Sequence, residues 1–482
     1  MVVKGSHFLV GALLWPVTVV PFPGKGRGRP LRWIGVRPVP VPMATRSPFP
    51  DVNMSAVSST SSPPSDSGRR AAPLGRDFSL LWGASASANL ADGLVRVALP
   101  LVAVELTRSP ILVSGVAVTG TLAWLLVGLP AGALGDRLNR RVLALGAALT
   151  RTVLLGGVGL LLLTDHLTVG ALFAAAFLLG VGEAFFDTST PAMVPGLVPR
   201  RELSRAHGRR HAASMAGDDL VGPAAGGTLF AFSKAAPLLV STVCHALSAI
   251  LLWRVRYEPG PAPSEAAERR VSLWGEILRG PALLFRERRI AVLALWGAGA
   301  NFAGSLTFSV LALYLVAPGP VGLDTWGFGL LMASLGVGGI VGASYAGRLA
   351  ARMGELRLLT LSCLLMAVDS VVLALTTRVW AISAGLVVGA AAAAVFGVMT
   401  ITALQRRTPD GHLSRVSAGN RLIMMGGTAL GGLTAGVLGE STGDLRVGFA
   451  VAAVLFVSLC AMRLAVPEAG DEVGPPPSER TP

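Results

Sequence analysis

Apolar segments of roughly 20 residues recur along this chain of 482 residues from Phe78 onward, and each is long enough to cross the ~30 Å hydrocarbon core of a bilayer as a helix. They are continuous and longer than the strands of a membrane barrel, so a strand interpretation fails. Twelve membrane spans are therefore predicted: 78–104, 111–135, 142–164, 168–190, 211–232, 235–254, 290–314, 326–347, 357–376, 379–402, 418–438 and 445–465.

The composition excludes a soluble protein of this length. Hydrophobic residues make up 52% of the chain and charged residues only 14%, whereas a soluble domain has about 25% charged residues and a single core stops growing near 250–300 residues. The three cysteines, Cys244, Cys363 and Cys460, lie far apart inside apolar segments, so neither a disulfide nor a metal site is expected. These features exclude a soluble enzyme, a secreted disulfide scaffold and a disordered chain.

The net charge of +14 has two interpretations, nucleic-acid binding or cytoplasmic loops. The charges fall between the apolar segments, which favours loops and no nucleic-acid partner. The even-numbered loops are rich in arginine, whereas the odd-numbered loops hold only Arg108, Lys234, Arg378 and Arg446. This asymmetry predicts a multi-pass protein of the cell membrane with both termini in the cytoplasm. Three lysines and 59 glycines are typical of a GC-rich bacterial genome.

Both ends of the chain differ from the apolar centre. Residues 1–76 are rich in Pro and Ser and are predicted to be a disordered tail, or an extension ahead of a start at Met43 or Met54. A signal peptide at 8–20 is the weaker alternative, because Pro16 interrupts the apolar run and no small-residue cleavage site follows. Residues 467–482 are predicted to be a second disordered tail.

The longest loop, 255–289, divides the chain into two halves of six spans, 77–254 and 290–466. Within this loop, the segment from Ser272 to Arg289 is amphipathic and rich in arginine. It is predicted to be either a helix on the inner membrane surface or a solvated linker, with equal weight.

The two halves repeat each other. Gly132 to Arg141 after span two matches Gly347 to Leu356 after span eight, and Pro199 to Arg205 before span five matches Pro409 to Arg415 before span eleven. The two matches have nearly the same offset along the chain. They predict two six-helix bundles related by an axis along the membrane normal, with a pathway between them.

The segment after span two resembles the loop signature of the major facilitator superfamily. The chain keeps the residues that carry it and departs at Asn139, where the family usually has Gly; Asn tolerates a positive φ, so we expect the turn to survive. The resemblance covers about 77–466 and implies an all-α membrane protein of twelve helices in two pseudo-symmetric bundles. The matching residues are Gly132, Asp136, Arg137, Arg140 and Arg141.

Three further segments resemble the bacterial exporter branch that includes enterobactin and macrolide exporters. They are Ala91 to Pro100, Gly180 to Asp187 and Gln405 to Pro409. The resemblance implies a monomeric secondary active transporter with no cofactor. It would export a small amphipathic compound (a drug, siderophore or secondary metabolite) by proton antiport with alternating access, as multidrug-resistance efflux proteins do.

The resemblance also implies a gate at the loop after span two. Asp136 would face the start of span eleven, where an acid is favoured by the helix N-terminus, and Arg140 would pair with Glu183 or Asp187 of span four. The alternative is an ordinary cytoplasmic loop.

In span five, Gly222, Pro223, Gly226 and Gly227 resemble a motif of proton-driven exporters, although the family often has Gly where this chain has Asp218. Small residues let helices approach and Pro bends a helix, so plain packing is the alternative.

Charges inside spans are costly and usually functional. Asp92 and Arg96 lie four residues apart and are placed to pair. In the superfamily, spans one, four, seven and ten line the cavity, which implies as cavity residues Asp92, Arg96, Glu183, Asp187 and Asn301. Asp369 is the most central acid, but it ranks lower because span nine is usually peripheral.

A buried acid is able to load and release a proton. The candidates, each with a structural ion pair as its alternative, are Asp92, Glu183, Asp187, Asp218 and Asp219. The arginine that many drug–proton exporters have in span four is missing here. Span ten, 381–402, has no charge, which suits a hydrophobic or amphipathic solute but also plain packing.

Two other classes of protein remain as alternatives. An importer or facilitator would have the same fold. A polytopic membrane enzyme or sensor subunit is disfavoured because no cluster of His, Asp or Ser residues occurs at a membrane face. The sequence also contains no GxxxxGK[ST] motif, so no ATP site is expected. No enzymatic activity is therefore expected.

Overall fold

The computed structural model describes residues 74–257, 284–285, 287–408 and 413–465. The predicted tails, apart from residues 74–76, and most of the amphipathic segment of the long loop lie outside these residues. The described residues of the first half form these helices: span one, Arg76–Leu106; span two, Pro110–Arg137; span three, Arg140–Leu163; span four, Val169–Leu197; span five, in three pieces, Leu203–Ser214, Met215–Val221 and Gly222–Phe232; and span six, Ala236–Arg254.

The second half has the same sequence of elements. Its helices are span seven, Arg288–Phe308, with a short continuation at Leu311–Leu315; span eight, Thr325–Met353; span nine, Glu355–Leu375; span ten, Val379–Arg407; span eleven, Leu413–Thr442; and span twelve, Arg446–Leu459. Eleven helices among the described residues are long and apolar enough to cross a membrane, and the broken span five accounts for the twelfth. The predicted all-α fold with twelve spans is confirmed.

Span five is interrupted because of its local sequence. Its middle piece, Met215–Val221, is a π-helix, and Pro223 follows at the start of the last piece. Proline has no N–H to donate and its ring clashes with the carbonyl four residues earlier, here that of Asp219. The wider π turn relieves this conflict and continues the helical direction of the span.

The packing repeats between the halves. Span one packs on spans five and six, and span seven packs on spans eleven and twelve; spans two and three pack on span four, and spans eight and nine pack on span ten. The halves meet along two seams that are equivalent under this repeat. In one seam span two contacts span eleven, and in the other span five contacts span eight.

We call the end of the bundle where the helices that flank the even-numbered loops begin and end the arginine-rich end; its helix ends carry Arg140, Arg254 and Arg407. The apolar core changes along the length of the bundle. At the opposite end one buried cluster joins both halves and includes Phe230, Tyr314 and Phe449. Toward the arginine-rich end, separate clusters belong to the first half and to the second half. The halves are therefore fastened at the opposite end and separate toward the arginine-rich end.

Candidate functional site

Two cavities meet between the halves. The larger, of about 630 Å³, is lined by spans two, seven, nine, ten, eleven and twelve. The smaller, of about 250 Å³, is lined mainly by spans one to four. Ala117, Phe308 and Ser309 line both, so the two cavities are neighbouring compartments of one central space.

Close contacts between the halves seal the central space at the opposite end. Ser109 Oγ donates a hydrogen bond of 2.6 Å to Glu440 Oε2 across the seam of spans two and eleven. In the other seam, a Cβ built on Gly227 would lie 2.6 Å from Cα of Gly329. This approach of the two backbones is possible only with small residues at both positions.

Toward the arginine-rich end the contacts are fewer. The guanidinium of Arg421 lies over the ring of Trp124, 3.6 Å from its centroid, beside a third cavity of about 260 Å³. The first piece of span five packs on spans one and four of its own half, while span eight packs on the later pieces. The side chain of Arg96, far inside span one, is still 53% exposed. This distribution indicates that the central space opens toward the arginine-rich end.

Asp92 of span one pairs with Arg151 of span three. Arg151 donates two hydrogen bonds to the carboxylate, one of them 3.3 Å long, and the residue is only 3% exposed. Gly182 of span four makes room for this arginine, since a Cβ there would lie 2.8 Å from its Cγ. His245 of span six is fully buried, with Nε2 3.5 Å from Asp92 Oδ1. A buried charge needs such partners, so this cluster holds spans one, three and six together.

Arg96 pairs with both acids of the π-helix. It donates hydrogen bonds of 2.5 Å to Asp218 and 2.9 Å to Asp219. Adjacent residues of a helix point in different directions, and the forked guanidinium bridges them. The predicted pair of Asp92 with Arg96 is therefore wrong. Asp92 and Arg96 each find a partner on a neighbouring helix, and which partner each one meets depends on helix packing rather than on spacing within span one.

Glu183 and Asp187 of span four differ from these paired acids. Glu183 lines the smaller cavity beside Asp92 and Arg151. No side chain among the described ranges donates a hydrogen bond to either acid. Asp187 lies one turn nearer the arginine-rich end and is not a lining residue of the two central cavities. Close to it, Arg210 of span five donates a hydrogen bond of 3.2 Å to Thr190 Oγ1.

The predicted gate is only partly described. The surroundings of Gly132, Asp136 and Arg137 fall outside the described part of the structure, although span two ends as a helix at Arg137. Arg140 donates a hydrogen bond of 2.9 Å to the carbonyl of Ala192 on span four. Arg141 donates one of 3.0 Å to the carbonyl of Leu252 on span six.

Two expectations about this loop are wrong. Arg140 meets the carbonyl of Ala192 on span four rather than Glu183 or Asp187, because it starts span three at the arginine-rich end while both acids lie deeper. Asn139 has φ −64 rather than a positive φ. It caps span three instead, with its side chain accepting a hydrogen bond of 3.0 Å from the Arg141 amide, the role that Asn favours at a helix start.

The glycines of span five serve two interfaces. A Cβ on Gly222 would lie 2.6 Å from Cα of Gly93, and a Cβ on Gly226 would lie 3.0 Å from the carbonyl oxygen of Leu94, so both face span one of the same half. Gly227 faces the other half. Pro223 is buried at the start of the last piece of the span.

The larger cavity contains Asn301 and Asp369. Asn301 Nδ2 donates to the carbonyl of Gly297 at 2.9 Å, and its Oδ1 accepts a hydrogen bond of 3.4 Å from Thr428. The low rank given to Asp369 is wrong, since it lines this cavity from span nine. The peripheral span reaches the cavity because Gly389 of span ten leaves its carboxylate room.

Sequence reasoning missed the roles of Arg151 and His245. Each is an ionisable residue inside an apolar span, and that signal was present in the sequence. The sequence did not show that both residues meet Asp92, because Asp92 lies on a different span. Within the described ranges, no group of three or more His, Cys, Asp or Glu side chains is placed to hold a metal ion.

Residues 69–480 match the family described as transmembrane secretion effector. An uncharacterized MFS-type transporter of Sinorhizobium fredii, y4rN, is 27% identical over 398 residues, which cover 81% of this chain and 94% of that protein. The uncharacterized MFS-type transporter YceJ of Bacillus subtilis is 27% identical over 345 residues, which cover 70% of this chain and 82% of that protein.

Solved structures share the fold at low sequence identity. The nucleoside transporter NupG superposes with a TM-score of 0.64 at 12% identity, covering 82% of this chain and 99% of that one. A bacterial homologue of the iron transporter ferroportin, in an inward-facing state, gives 0.64 at 15% identity and covers 81% and 98%. A bacterial homologue of the lysosomal transporter Spinster, inward-facing and unoccupied, gives 0.62 at 16% identity and covers 81% and 96%.

Proposed function

Because this chain belongs to the transmembrane secretion effector family of the major facilitator superfamily (MFS), and is thus a multi-pass membrane transporter, we propose that it exports a small amphipathic compound by proton antiport. The compound is a drug, siderophore or secondary metabolite, as in the exporter branch that includes enterobactin and macrolide exporters. The protein works as a monomer in the cell membrane, with the arginine-rich end and both termini in the cytoplasm.

The division of the central space into two compartments carries this proposal. The smaller compartment holds Asp92, Arg96 and Glu183. The wall of the larger is mainly apolar, with Phe308 and Phe396 among its side chains, although Asn301 and Asp369 also line it. A compound with one polar and one apolar part matches such a space, whereas a sugar or a small ion would leave the apolar wall without a partner.

The proton route runs through the first half. Glu183 lines the central space with no hydrogen-bond donor among the described side chains, so it is the acid most free to load and release a proton. Asp187, one turn nearer the arginine-rich end, is the next acid on this route. Asp218 and Asp219 couple the proton to movement, because their protonation weakens the link of span five to Arg96.

The gate lies at the loop after span two. Opening toward the cytoplasm loads the compound, and rocking of the halves exposes it on the other side. In the outward state Asp136 meets the start of span eleven and closes the arginine-rich end. Arg137, Arg140 and Arg141 fasten this loop to its own half, as the contacts of Arg140 with span four and of Arg141 with span six support.

Transport by purified protein in liposomes tests the proposal. The liposomes contain a fluorescent amphipathic dye, and a proton gradient of either direction is imposed. We expect dye to move against its gradient only when protons move the other way, and a protonophore to abolish this movement. Glu183→Gln should lose the proton dependence, while Asp165→Asn, an exposed turn residue, serves as the matched control. Dye movement that ignores the proton gradient would establish a facilitator instead.

A further inference from the structure

Asp369 is an acid that the proposed proton route does not use. It lies in span nine, is only 6% exposed and lines the larger cavity. Its Oδ1 accepts a hydrogen bond of 3.0 Å from Ser370 Oγ, and Ser370 in turn lies 3.4 Å from Thr307 Oγ1. Its Oδ2 accepts no hydrogen bond from the described residues. One oxygen of a buried carboxylate is thus left without a donor.

The surroundings of Asp369 contain no opposite charge. Spans two, seven, ten and twelve supply no Asp, Glu, Lys, Arg or His between their terminal turns. Span eight supplies only Arg348, near its arginine-rich end, whose guanidinium lies 5.5 Å from the ring centroid of Tyr345 on the same helix. In span nine, Asp369 is the single charged residue after Arg357. In span eleven the nearest charged residue toward the cavity, Arg421, is engaged over Trp124. A carboxylate in such a place is costly unless a cation joins it.

Span ten is adapted to this carboxylate. Gly389 faces Asp369, and a Cβ at this position would overlap Oδ2. Any larger residue at position 389 would push the carboxylate out of its place in the cavity wall. The acid and the glycine therefore form one arrangement, made by two neighbouring spans.

The rest of the wall favours an organic cation over a metal ion. Metal cations such as Na⁺ or Ca²⁺ need several oxygen ligands, whereas this cavity is lined largely by apolar side chains, including Phe308, Phe396 and Phe456. Aromatic rings attract organic cations. The volume of about 630 Å³ lies in the range of small-molecule sites, roughly 300–1,000 Å³.

We propose that the carboxylate of Asp369 binds the positively charged group of the exported compound, so that the substrates of this transporter are amphipathic organic cations. This inference rests on the proposed function and names its substrate class. The two halves then have different roles, since the first half carries the proton and Asp369 in the second half recognises the cation.

Binding to the purified protein in detergent tests the inference without transport. The probes are tetraphenylphosphonium, whose charge is independent of pH, and triphenylphosphine oxide, a neutral compound of related shape. We expect the wild-type protein to prefer the cation by about tenfold or more, the effect of one charge-assisted contact in a dry site. Asp369→Asn should remove this preference and retain binding of the neutral probe.

Three further variants sharpen the result. Asp369→Glu keeps the charge and should retain part of the preference, while Gly389→Ala should weaken cation binding by displacing the carboxylate. Asp165→Asn removes an acid from an exposed turn and should bind as the wild type does. Equal affinity of the wild type for both probes would overturn the inference. So would an Asp369→Asn protein that is folded and keeps its preference for the cation, or one that loses both probes.

Failure of the proposed function has a different signature. If dye transport in liposomes ignores the proton gradient while the cation preference depends on Asp369, the coupling is wrong and the cation site stands. If transport is coupled to protons but Asp369→Asn binds both probes as the wild type does, the cation site is wrong and the exporter stands.

Discussion

The two halves of this protein share one helix arrangement but differ in the chemistry they bring to the central space. The first half brings four spans with charged residues together, and Asp92 with Arg151 and Arg96 with Asp218 are its main pairs. The second half offers the single acid Asp369 in an apolar wall. The duplicated scaffold therefore fixes how helices pack, while each half is free to hold different side chains.

The loops after spans two and eight show the same contrast on a smaller scale. In the first half Arg140 at the start of span three donates to a carbonyl of span four. At the equivalent place in the second half, Glu355 at the start of span nine pairs with Arg407 of span ten at 2.8 Å. The first residue of the helix after this loop therefore links equivalent pairs of helices in the two halves, spans three and four or spans nine and ten. It is an arginine in the first half and a glutamate in the second.

Removal of Arg151 should have the largest effect on stability. Arg151→Ala leaves the carboxylate of Asp92 buried without its partner, which costs about 3–5 kcal/mol. Thermal unfolding in detergent measures this loss. The matched control in the second half is Arg407→Ala, whose pair is about one-fifth exposed on each side, and it should be clearly milder.

A double variant separates a lost contact from an unpaired charge. Asp92→Asn in the Arg151→Ala background should recover much of the stability, because it removes the charge that was left alone. Equal losses in the single and the double variant would contradict this account of the first half.

Gly336→Ala tests the seam of spans five and eight. A Cβ on Gly336 would overlap the backbone carbonyl of Asp219, and overpacking of this kind costs about 1–3 kcal/mol. Because the overlap disfavours the state in which this seam is closed, we expect the transport rate to fall roughly tenfold. Gly339→Ala, one turn away on the same helix where a Cβ meets nothing within 4 Å, should transport normally. Similar rates in the two variants would remove this contact from the transport cycle.

Glu183→Gln and Asp187→Asn test whether proton coupling belongs to the first half. Each should change the pH dependence of dye export, because each removes a titrating carboxyl group from the proposed route. Export rates measured across a pH series give the profile. Two variants with the wild-type profile would exclude span four from the route.

The smallest effect is expected at the surface. Lys234 and Glu105 pair at 2.7 Å between the ends of spans five and one, with side chains 57% and 38% exposed. Lys234→Ala should change the free energy of unfolding by less than about 1 kcal/mol and leave transport unchanged. A loss of stability comparable to that of Arg151→Ala would show that the buried and the exposed ion pair do not differ in their contribution to stability.

Much of the fold was predictable because it depends on local properties. The length of each apolar run predicted its span, and short repeated motifs predicted the two halves. The broken form of span five was not predicted, because the π turn at Met215–Val221 reflects the conflict of Pro223 with a carbonyl together with close packing on Gly93. The site was predicted less well, since Asp92 and Glu183 were named and line the smaller cavity, but the partner of Asp92 was not predicted.

By itself the sequence determined where the chain crosses the membrane, how often it does so and which residues are too polar to face lipid, because burial of apolar length and the cost of charge act on each segment separately. Only the tertiary structure decided which acid meets which arginine and that Asp369 enters the cavity. Those contacts join residues of different spans, and they depend on distances of a few ångströms that helix packing sets.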